Sequence, residues 1–360
     1  MSAVLASLRE ADRVAELCLL GTGGVGKAVL NRLAELQDVG VARHIALVAV
    51  ANSRCGQRGS TLQPRQARDP VALLSRATSM QWVDDLFSLP GSARRIVIDA
   101  TASDAVAARH AHWLAQGIDV VTANKLAQGG SLLRWQAIRA AQSSGRARYG
   151  DAATVGAGLP LLRTLRALTA GGDRITSISG VLSGSLAWLF DRYDGSQPFS
   201  ALVREARDLG YTEPDPRDDL SGADVCRKLL ILARAAGIAL SESEIKVTPL
   251  FDAALALATH TELDTALSRL DAPLRLRLDA AKSRNVSLRV VARWREGTAT
   301  VGLETLAFDD ELAHAAGTDN RVVIHSTRYQ QRPLGIQGPG AGADITAAAL
   351  LDDVLSITAA

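Results

Sequence analysis

An apolar run, Val14 to Leu20 (VAELCLL), stops at a hexapeptide in which four residues are glycine: Gly21, Thr22, Gly23, Gly24, Val25 and Gly26. A helical pattern, KAVLNRLAEL, follows at once. Strand, GxGxxG and helix in that order constrain the chain to a βα unit of the dinucleotide-binding kind. Gly21 permits the tight turn, Gly23 admits a pyrophosphate against the backbone, and Gly26 lets helix and strand pack closely. The phosphates are expected on the helix N-terminus, where unpaired N–H groups and the helix dipole favour an anion. The competing reading is a glycine-rich turn in an α/β domain that holds no cofactor.

The second predicted strand is His44 to Ala51 (HIALVAVA). Sites that prefer NAD usually place a carboxylate just beyond it, on the ribose 2′-hydroxyl. Here Asn52, Ser53 and Arg54 stand instead. With no carboxylate to repel it and a guanidinium nearby, a 2′-phosphate is accommodated, so NADP(H) is expected in preference to NAD(H). A third buried strand, Arg95 to Ala100, ends in Thr101, Ala102 and Ser103, ahead of a helix predicted over residues 102–117. The short strand within GIDVVTANK closes on Asn124 and Lys125. Ligands of parallel sheets bind at the carboxyl ends of strands, where Thr101, Ser103, Asn124 and Lys125 all fall. Lys125 is thus a candidate cation of the site, against the plainer reading of a surface lysine.

The alternation of strand and helix stops near residue 150. Beyond it, Thr154 to Pro160 (TVGAGLP) opens a helix, and Ile175 to Leu182 alternates like a half-buried strand that turns through Ser183, Gly184 and Ser185 into another helix. Val286 to Trp294 and Thr298 to Leu303 pair as strands, and Arg321 to Ser326 adds a further one. Residues 337–346 (QGPGAGADIT) form a second glycine-rich turn, with Gly340 and Gly342, ahead of an apolar helix. The expected fold class is α/β: a Rossmann nucleotide-binding domain with a parallel sheet, residues 1–150 and 337–360, and an α+β substrate-binding and dimerisation domain, residues 151–336.

Between Ala206 and Lys228 the sequence ARDLGYTEPDPRDDLSGADVCRK gathers six carboxylates: Asp208, Glu213, Asp215, Asp218, Asp219 and Asp224. Pro214 and Pro216 keep Tyr211 to Leu220 out of a helix interior. A helix is expected to restart at Ser221, capped by its hydroxyl, with Asp224 at the matching position of a capping pattern. Lys228 lies one turn after Asp224, so their side chains share a face of an otherwise apolar helix. The plain reading is a solvated i, i+4 ion pair beside an acidic loop. The apolar surroundings favour another, a lysine tuned by desolvation and oriented by a carboxylate for proton transfer.

Composition narrows the classes. With 22% charged residues and a net charge of +2, the chain has no basic block to suggest nucleic acid, and no apolar run long enough for a membrane. The start, with Arg9, Glu10 and Asp12, is not the apolar core of a secretory signal. Three cysteines (Cys18, Cys55, Cys226) without CxxC spacing fit a reducing cytoplasm. His110 and His112, two apart, point to different helix faces and make a poor transition-metal pair.

Taken together, these motifs resemble the homoserine dehydrogenases. The resemblance rests on Ala206, Gly210-Tyr211-Thr212, Asp215-Pro216, Asp219-Leu220, Gly222, Asp224 and Lys228 at fixed spacings. GTGGVG, TANK, TVGAGLP, LSGS and GPGAGADITA occur in the family's order over nearly the whole chain. It is greatest to the dehydrogenase portion of bifunctional aspartokinase–homoserine dehydrogenases, with no kinase module and no ACT domain expected. The resemblance implies reversible NAD(P)H-dependent reduction of L-aspartate 4-semialdehyde to L-homoserine. It makes Lys228 the acid/base group with Asp224 beside it, and sets Lys125 between nicotinamide and substrate. Glu213 and Asp219 would hold the substrate ammonium, with Gly184, Ser185 and Tyr211 lining the pocket. Gly21 to Gly26, Asn52 to Arg54, Thr101, Ser103, Asn124, Lys125, Gly340 and Gly342 would hold the cofactor. The TVGAGLP loop is similar to the family's monovalent-cation site, which implies Na⁺ or K⁺ on carbonyls of Val155, Ala157 and Leu159. The acidic residue that the family commonly carries just before this loop is displaced by a short insertion, so Asp151 or the Ala152 carbonyl takes its place. A homodimer is implied as well.

Two other readings differ in what they require. A semialdehyde dehydrogenase needs a nucleophilic cysteine, and Cys18, Cys55 and Cys226 lie in no electropositive, accessible setting that the sequence reveals. A non-catalytic NADP-sensing subunit would bind cofactor without turnover, which the paired lysines and carboxylates disfavour.

Overall fold

The structure, a computed structural model, describes residues 15–67, 75–76, 93–314 and 317–359, with no side-chain description at 75–76. Val14, the N-terminal segment before it and most of 68–92 lie outside the described residues. The chain packs as two compact units, Met1–Gly158 with Ala341–Ala360, and Leu159–Gly340. The first unit contains helices α1 (Gly24–Asp38) and α4 (Ala343–Thr358), and the second α2 (Gly184–Arg192) and α3 (Ala223–Ala235).

The first unit is built on β1 (Ala15–Leu20), β2 (Ile45–Ala51), β3 (Cys55–Arg58), β4 (Ser75–Arg76), β5 (Arg94–Asp99), β6 (Asp119–Thr122) and β7 (Tyr149–Gly150), in the order β4-β3-β2-β1-β5-β6-β7. The expected parallel sheet is in fact mixed: β2, β1, β5, β6 and β7 are parallel, whereas β3 and β4 are antiparallel additions at one edge. Both faces are covered, which explains why β2 and, but for Glu16, β1 read as apolar runs. Leu17 and Leu19 join one core, with α1 and α4. Cys18 and Leu20 point to the other, with Trp113, Leu114 and Ile138. The helix expected over residues 102–117 is two pieces, Asp104–Ala107 and His110–Ala115. At the start of the second piece His110 is drawn fully into the interior.

The second unit carries β8 (Ile175–Val181), β9 (Ile245–Val247), β10 (Ser287–Arg295), β11 (Thr298–Leu306), β12 (Asp319–Ser326) and β13 (Leu334–Pro339), ordered β13-β12-β8-β10-β11-β9. All neighbours are antiparallel except β9 and β11. Helix α3 packs on β8, β9 and β10, and α2 on β10 and β12. Among the described residues, no helix is long and apolar enough to cross a membrane.

Candidate functional site

In the first unit, β1 lies between β2 and β5, and the chain runs from β1 to β2 on one side and from β5 to β6 on the other. That is the topological switch point, where an open α/β sheet leaves a crevice. A cavity of about 530 Å³ sits there, within the range of small-ligand sites. It is lined by Gly21, Gly23, Asn52, Ser53, Thr101 and Ser103 of the expected set. Apolar Leu20, Ala51, Ala100 and Val106, which the motifs alone did not single out, complete much of the wall.

The glycine turn has firm steric reasons. A Cβ on Gly26 would meet the Gly21 carbonyl oxygen at 1.9 Å, and one on Gly21, whose φ is 101°, would meet the Ala100 oxygen at 2.6 Å. A Cβ on Gly23 would meet nothing within 4 Å, so the backbone there can be approached closely. Helix α1 begins at Gly24 with no side-chain cap and no carboxylate in its first turn, which leaves its N-terminal N–H groups unopposed by protein anions. Thr22 accepts from Asn52 Nδ2 through its hydroxyl at 2.9 Å. Asn52 Oδ1 in turn accepts from the N–H groups of Arg54 (2.8 Å) and Cys55 (3.0 Å), an Asx turn that holds the β2–β3 corner. Arg54 is exposed at that corner.

At the ends of β5 and β6, Asn124 is buried and donates to the Ser103 carbonyl at 2.9 Å, while its Oδ1 caps the helix that Lys125 begins. Lys125 is half-buried there. Gly342 is the N-cap of α4. Gly340 closes the second unit, where a Cβ would meet Asn320 Cγ at 2.1 Å.

In the TVGAGLP loop, Ala152 begins a 3₁₀ turn and donates its N–H to Asp353 Oδ2 at 3.0 Å. Gly156 (φ 74°) and Ala157 (φ 49°) are both left-handed, and Val155 and Ala157 are buried. Backbone oxygens at so sharp a turn are of the kind a hard cation takes. Leu159 is the first residue of the second unit. Among the described residues, no group of three or more histidine, cysteine or acidic side chains could hold a metal ion.

The acidic stretch sorts into distinct jobs once folded. Lys228, 9% exposed, donates through Nζ to the Leu182 carbonyl at 2.7 Å and meets Asp224 Oδ2 at 2.8 Å. Asp219 Oδ1 accepts from Ser185 Oγ at 2.6 Å, and Oδ2 accepts from the Glu213 N–H at 2.9 Å. Ser183 caps α2 and shares a 2.8 Å hydrogen bond with Ser185. A Cβ on Gly184 would meet the Thr318 carbonyl at 2.9 Å, so the LSGS turn can pass this close only as glycine. The Glu213 carboxylate is exposed, and Tyr211 packs its ring 5.3 Å from Trp188. Asp215 belongs elsewhere: Arg217 binds it at 2.6 Å and holds its carboxyl below the usual carboxylate range. Arg217 also donates to the carbonyl of Ala258 at 2.6 Å, which pins the loop.

Two local expectations are corrected. Helix α3 is capped by Gly222 in the left-handed region (φ 75°), not by Ser221. Ser221 Oγ still accepts from the Ala223 N–H at 3.1 Å, and Asp224 faces Lys228. Within Tyr211 to Leu220, expected to stay out of a helix interior, Arg217–Leu220 is a single helical turn, which Pro216 can precede because a missing N–H costs nothing at a helix start. Cys226 is buried, and burial pushes its thiol up to about 11, consistent with a packing role.

Comparison with known proteins agrees with both units. Residues 21–150 match the family model described as "Homoserine dehydrogenase, NAD binding domain", and residues 160–355 match "Homoserine dehydrogenase". The chain is 35% identical over 363 residues to a homoserine dehydrogenase of Emericella nidulans, covering 95% of this chain and 97% of that protein. It is 41% identical to a bifunctional aspartokinase/homoserine dehydrogenase of Arabidopsis thaliana, over 73% of this chain but only 29% of that longer protein. A hyperthermophilic archaeal homoserine dehydrogenase solved with NADPH shares the fold, with a TM-score of 0.73 at 21% identity over 96% of this chain and 98% of that one. Two adjoining family matches and a relative aligned almost end to end show that the chain belongs to the homoserine dehydrogenase family.

Proposed function

We propose that the chain catalyses the reversible NAD(P)H-dependent interconversion of L-aspartate 4-semialdehyde and L-homoserine. The observation that carries this reading is Lys228, a nearly buried ammonium oriented by the Leu182 carbonyl and Asp224. A bound nicotinamide supplies the hydride in reduction and accepts it in oxidation. Lys228 donates a proton to the developing alkoxide in reduction and takes the hydroxyl proton back in oxidation, a transfer that needs a positioned group of this kind. Glu213 and Asp219 serve as acceptors for the substrate ammonium, since ionised carboxylates only accept. Gly184, Ser185 and Tyr211 line the substrate, and Lys125 serves the reacting end of the cofactor.

NADP(H) is the proposed cofactor in preference to NAD(H), with Arg54 answering the 2′-phosphate at a corner that offers no carboxylate. Gly340, Gly342, Asn124 and the GTGGVG turn are assigned to the same ligand. Na⁺ or K⁺ is proposed on carbonyls of Ala152, Val155, Ala157 and Leu159, as a structural ion. The working form is proposed as a homodimer in the cytoplasm, in keeping with three unpaired cysteines.

The test is absorbance at 340 nm with L-homoserine and NADP⁺ or NAD⁺ at alkaline pH. A growing signal, faster with NADP⁺, supports the reading. No signal from protein that still binds NADPH overturns it in favour of a non-catalytic sensing role.

A further inference from the structure

Behind the cavity of the first unit lies a carboxylate that the reaction scheme does not use. Asp99, the last residue of β5, is fully buried. Its Oδ1 accepts from the Thr101 N–H at 2.9 Å and from the Thr101 hydroxyl at 2.6 Å. Its Oδ2 accepts from Asn124 Nδ2 at 2.9 Å and faces His110 Nε2 at 3.0 Å. Four donors are the full complement that one carboxylate can take. His110 is fully buried too, and its other nitrogen, Nδ1, lies 3.0 Å from the hydroxyl of Tyr149 on β7. An ionised Asp99 only accepts, so His110 carries a proton on Nε2 whichever charge the ring holds.

The donors matter because of what else they touch. Thr101 lines the cavity, and its hydroxyl accepts from the Ser103 N–H at 3.1 Å. Asn124 donates to the Ser103 carbonyl as well, and Ser103 is also a lining residue. One buried carboxylate therefore sets the wall formed by residues 100–103 and ties it to the end of β6. Through His110 it is tied also to β7. A buried polar network of this kind is rigid only while every member is satisfied.

We propose that Asp99, His110 and Tyr149 form a buried relay of positioning residues that shapes the wall of the nicotinamide-cofactor cavity. The inference rests on the cofactor reading above and extends it to side chains that touch no ligand. Asp99→Asn keeps the shape, but either orientation of the new amide sets its –NH₂ against a fixed donor, the Thr101 N–H or the Asn124 amide. The wall must then move. Tyr149→Phe removes only the outermost hydroxyl and leaves the Asp99 contacts in place.

The experiment is NADPH binding by fluorescence titration on the full chain, with thermal midpoints recorded beside it. Hydrogen-bond partners behind a metal site govern its affinity by about 10–100-fold, and a buried carboxylate behind a cofactor wall works by the same positioning. Asp99→Asn is expected to weaken NADPH by at least ~10-fold and Tyr149→Phe by a smaller factor in the same direction. The His110 Nε2–H resonance should also shift when NADPH binds to the unaltered protein. If Asp99→Asn does not fold, Tyr149→Phe and the resonance decide the matter. Weakened thermal midpoints with unchanged NADPH affinity and an unmoved His110 resonance would make the network purely structural and overturn the proposal. Unaltered protein that fails to bind NADPH would instead overturn the cofactor reading.

Discussion

Replacement of Lys228 by methionine separates chemistry from folding. The substitution keeps most of the aliphatic stem that packs in α3 and removes the ammonium. On the folded state, the Leu182 carbonyl loses a charged donor at 2.7 Å. An orphaned buried acceptor costs about 1–3 kcal/mol. Asp224 loses a partner as well, but its side chain is 43% exposed and water takes the vacated place. A loss of that size is a fraction of the ~5–15 kcal/mol that holds an ordinary domain together, so the variant stays folded at 25 °C. On the reaction, removal of a general acid/base group costs ~10²–10⁴-fold in turnover. At about 1.36 kcal/mol per factor of ten, that is roughly 2.7–5.4 kcal/mol of barrier. The assay is initial rate at 340 nm against homoserine concentration, with NADPH affinity measured separately by fluorescence. The expected result is a collapse of kcat with NADPH affinity retained. Turnover close to that of the unaltered protein, in a variant that has lost the ammonium, would remove Lys228 from the chemistry.

Other outcomes follow from the same geometry. Arg54→Ala should weaken NADPH and leave NADH nearly unchanged in binding titrations; equal losses for both would exclude a 2′-phosphate contact. Glu213→Gln should raise the homoserine KM by about tenfold or more, the size of a lost charged hydrogen bond, with little change in NADPH affinity. An unmoved KM would take Glu213 away from the ammonium. Asp173 is buried and accepts from Thr327 Oγ1 (2.6 Å), Ser326 Oγ (2.7 Å) and the Arg328 N–H (3.0 Å), the Thr327 bond chief among the causes that hold its carboxyl below the usual range. A lowered folded pKa means that its contribution is fully present above the unfolded value of ~3.9 and is lost as pH falls through the lower folded value. Urea midpoints of Asp173→Asn should therefore fall less steeply with acidification below about pH 5 than those of the unaltered protein. Parallel curves would show that the carboxyl is not tuned by its neighbours.

What could be read from residues alone depended on whether the signal was local. Strands β1, β2 and β5 announce themselves because a sheet covered on both faces favours runs of apolar side chains such as residues 17–20, 45–51 and 96–98, and GTGGVG fixes the turn by sterics within six residues. The pairing of Asp224 with Lys228 is equally local, a single helical turn. The cap of α3 was misread because Ser221 has the right chemistry while the backbone chooses Gly222, whose left-handed φ no pattern of side chains reveals. The break at His110 carries no proline or glycine; it coincides with a contact to Asp99, a residue on a neighbouring strand. Asp215 looked equivalent to its acidic neighbours until Arg217 was seen to engage it together with the Ala258 carbonyl. The polar β3, with Cys55 to Arg58, offers neither alternation nor an apolar run.

Helix α4 packs on α1, contributes Ala347, Leu350, Leu351 and Val354 to the core that holds Leu17 and Leu19, and receives the Ala152 N–H on Asp353. On the ribosome, β1 emerges first and α4 only after the whole of Leu159–Gly340 has been made. At ~5–20 residues per second the making of Leu159–Gly340 alone takes about ten to forty seconds. The intervening unit is thus able to fold as an insertion while the nucleotide unit waits with one flank of its sheet bare. Nascent chains stalled before residue 341 should expose that flank to chaperones and hydrophobic dyes, and release of α4 should quench it.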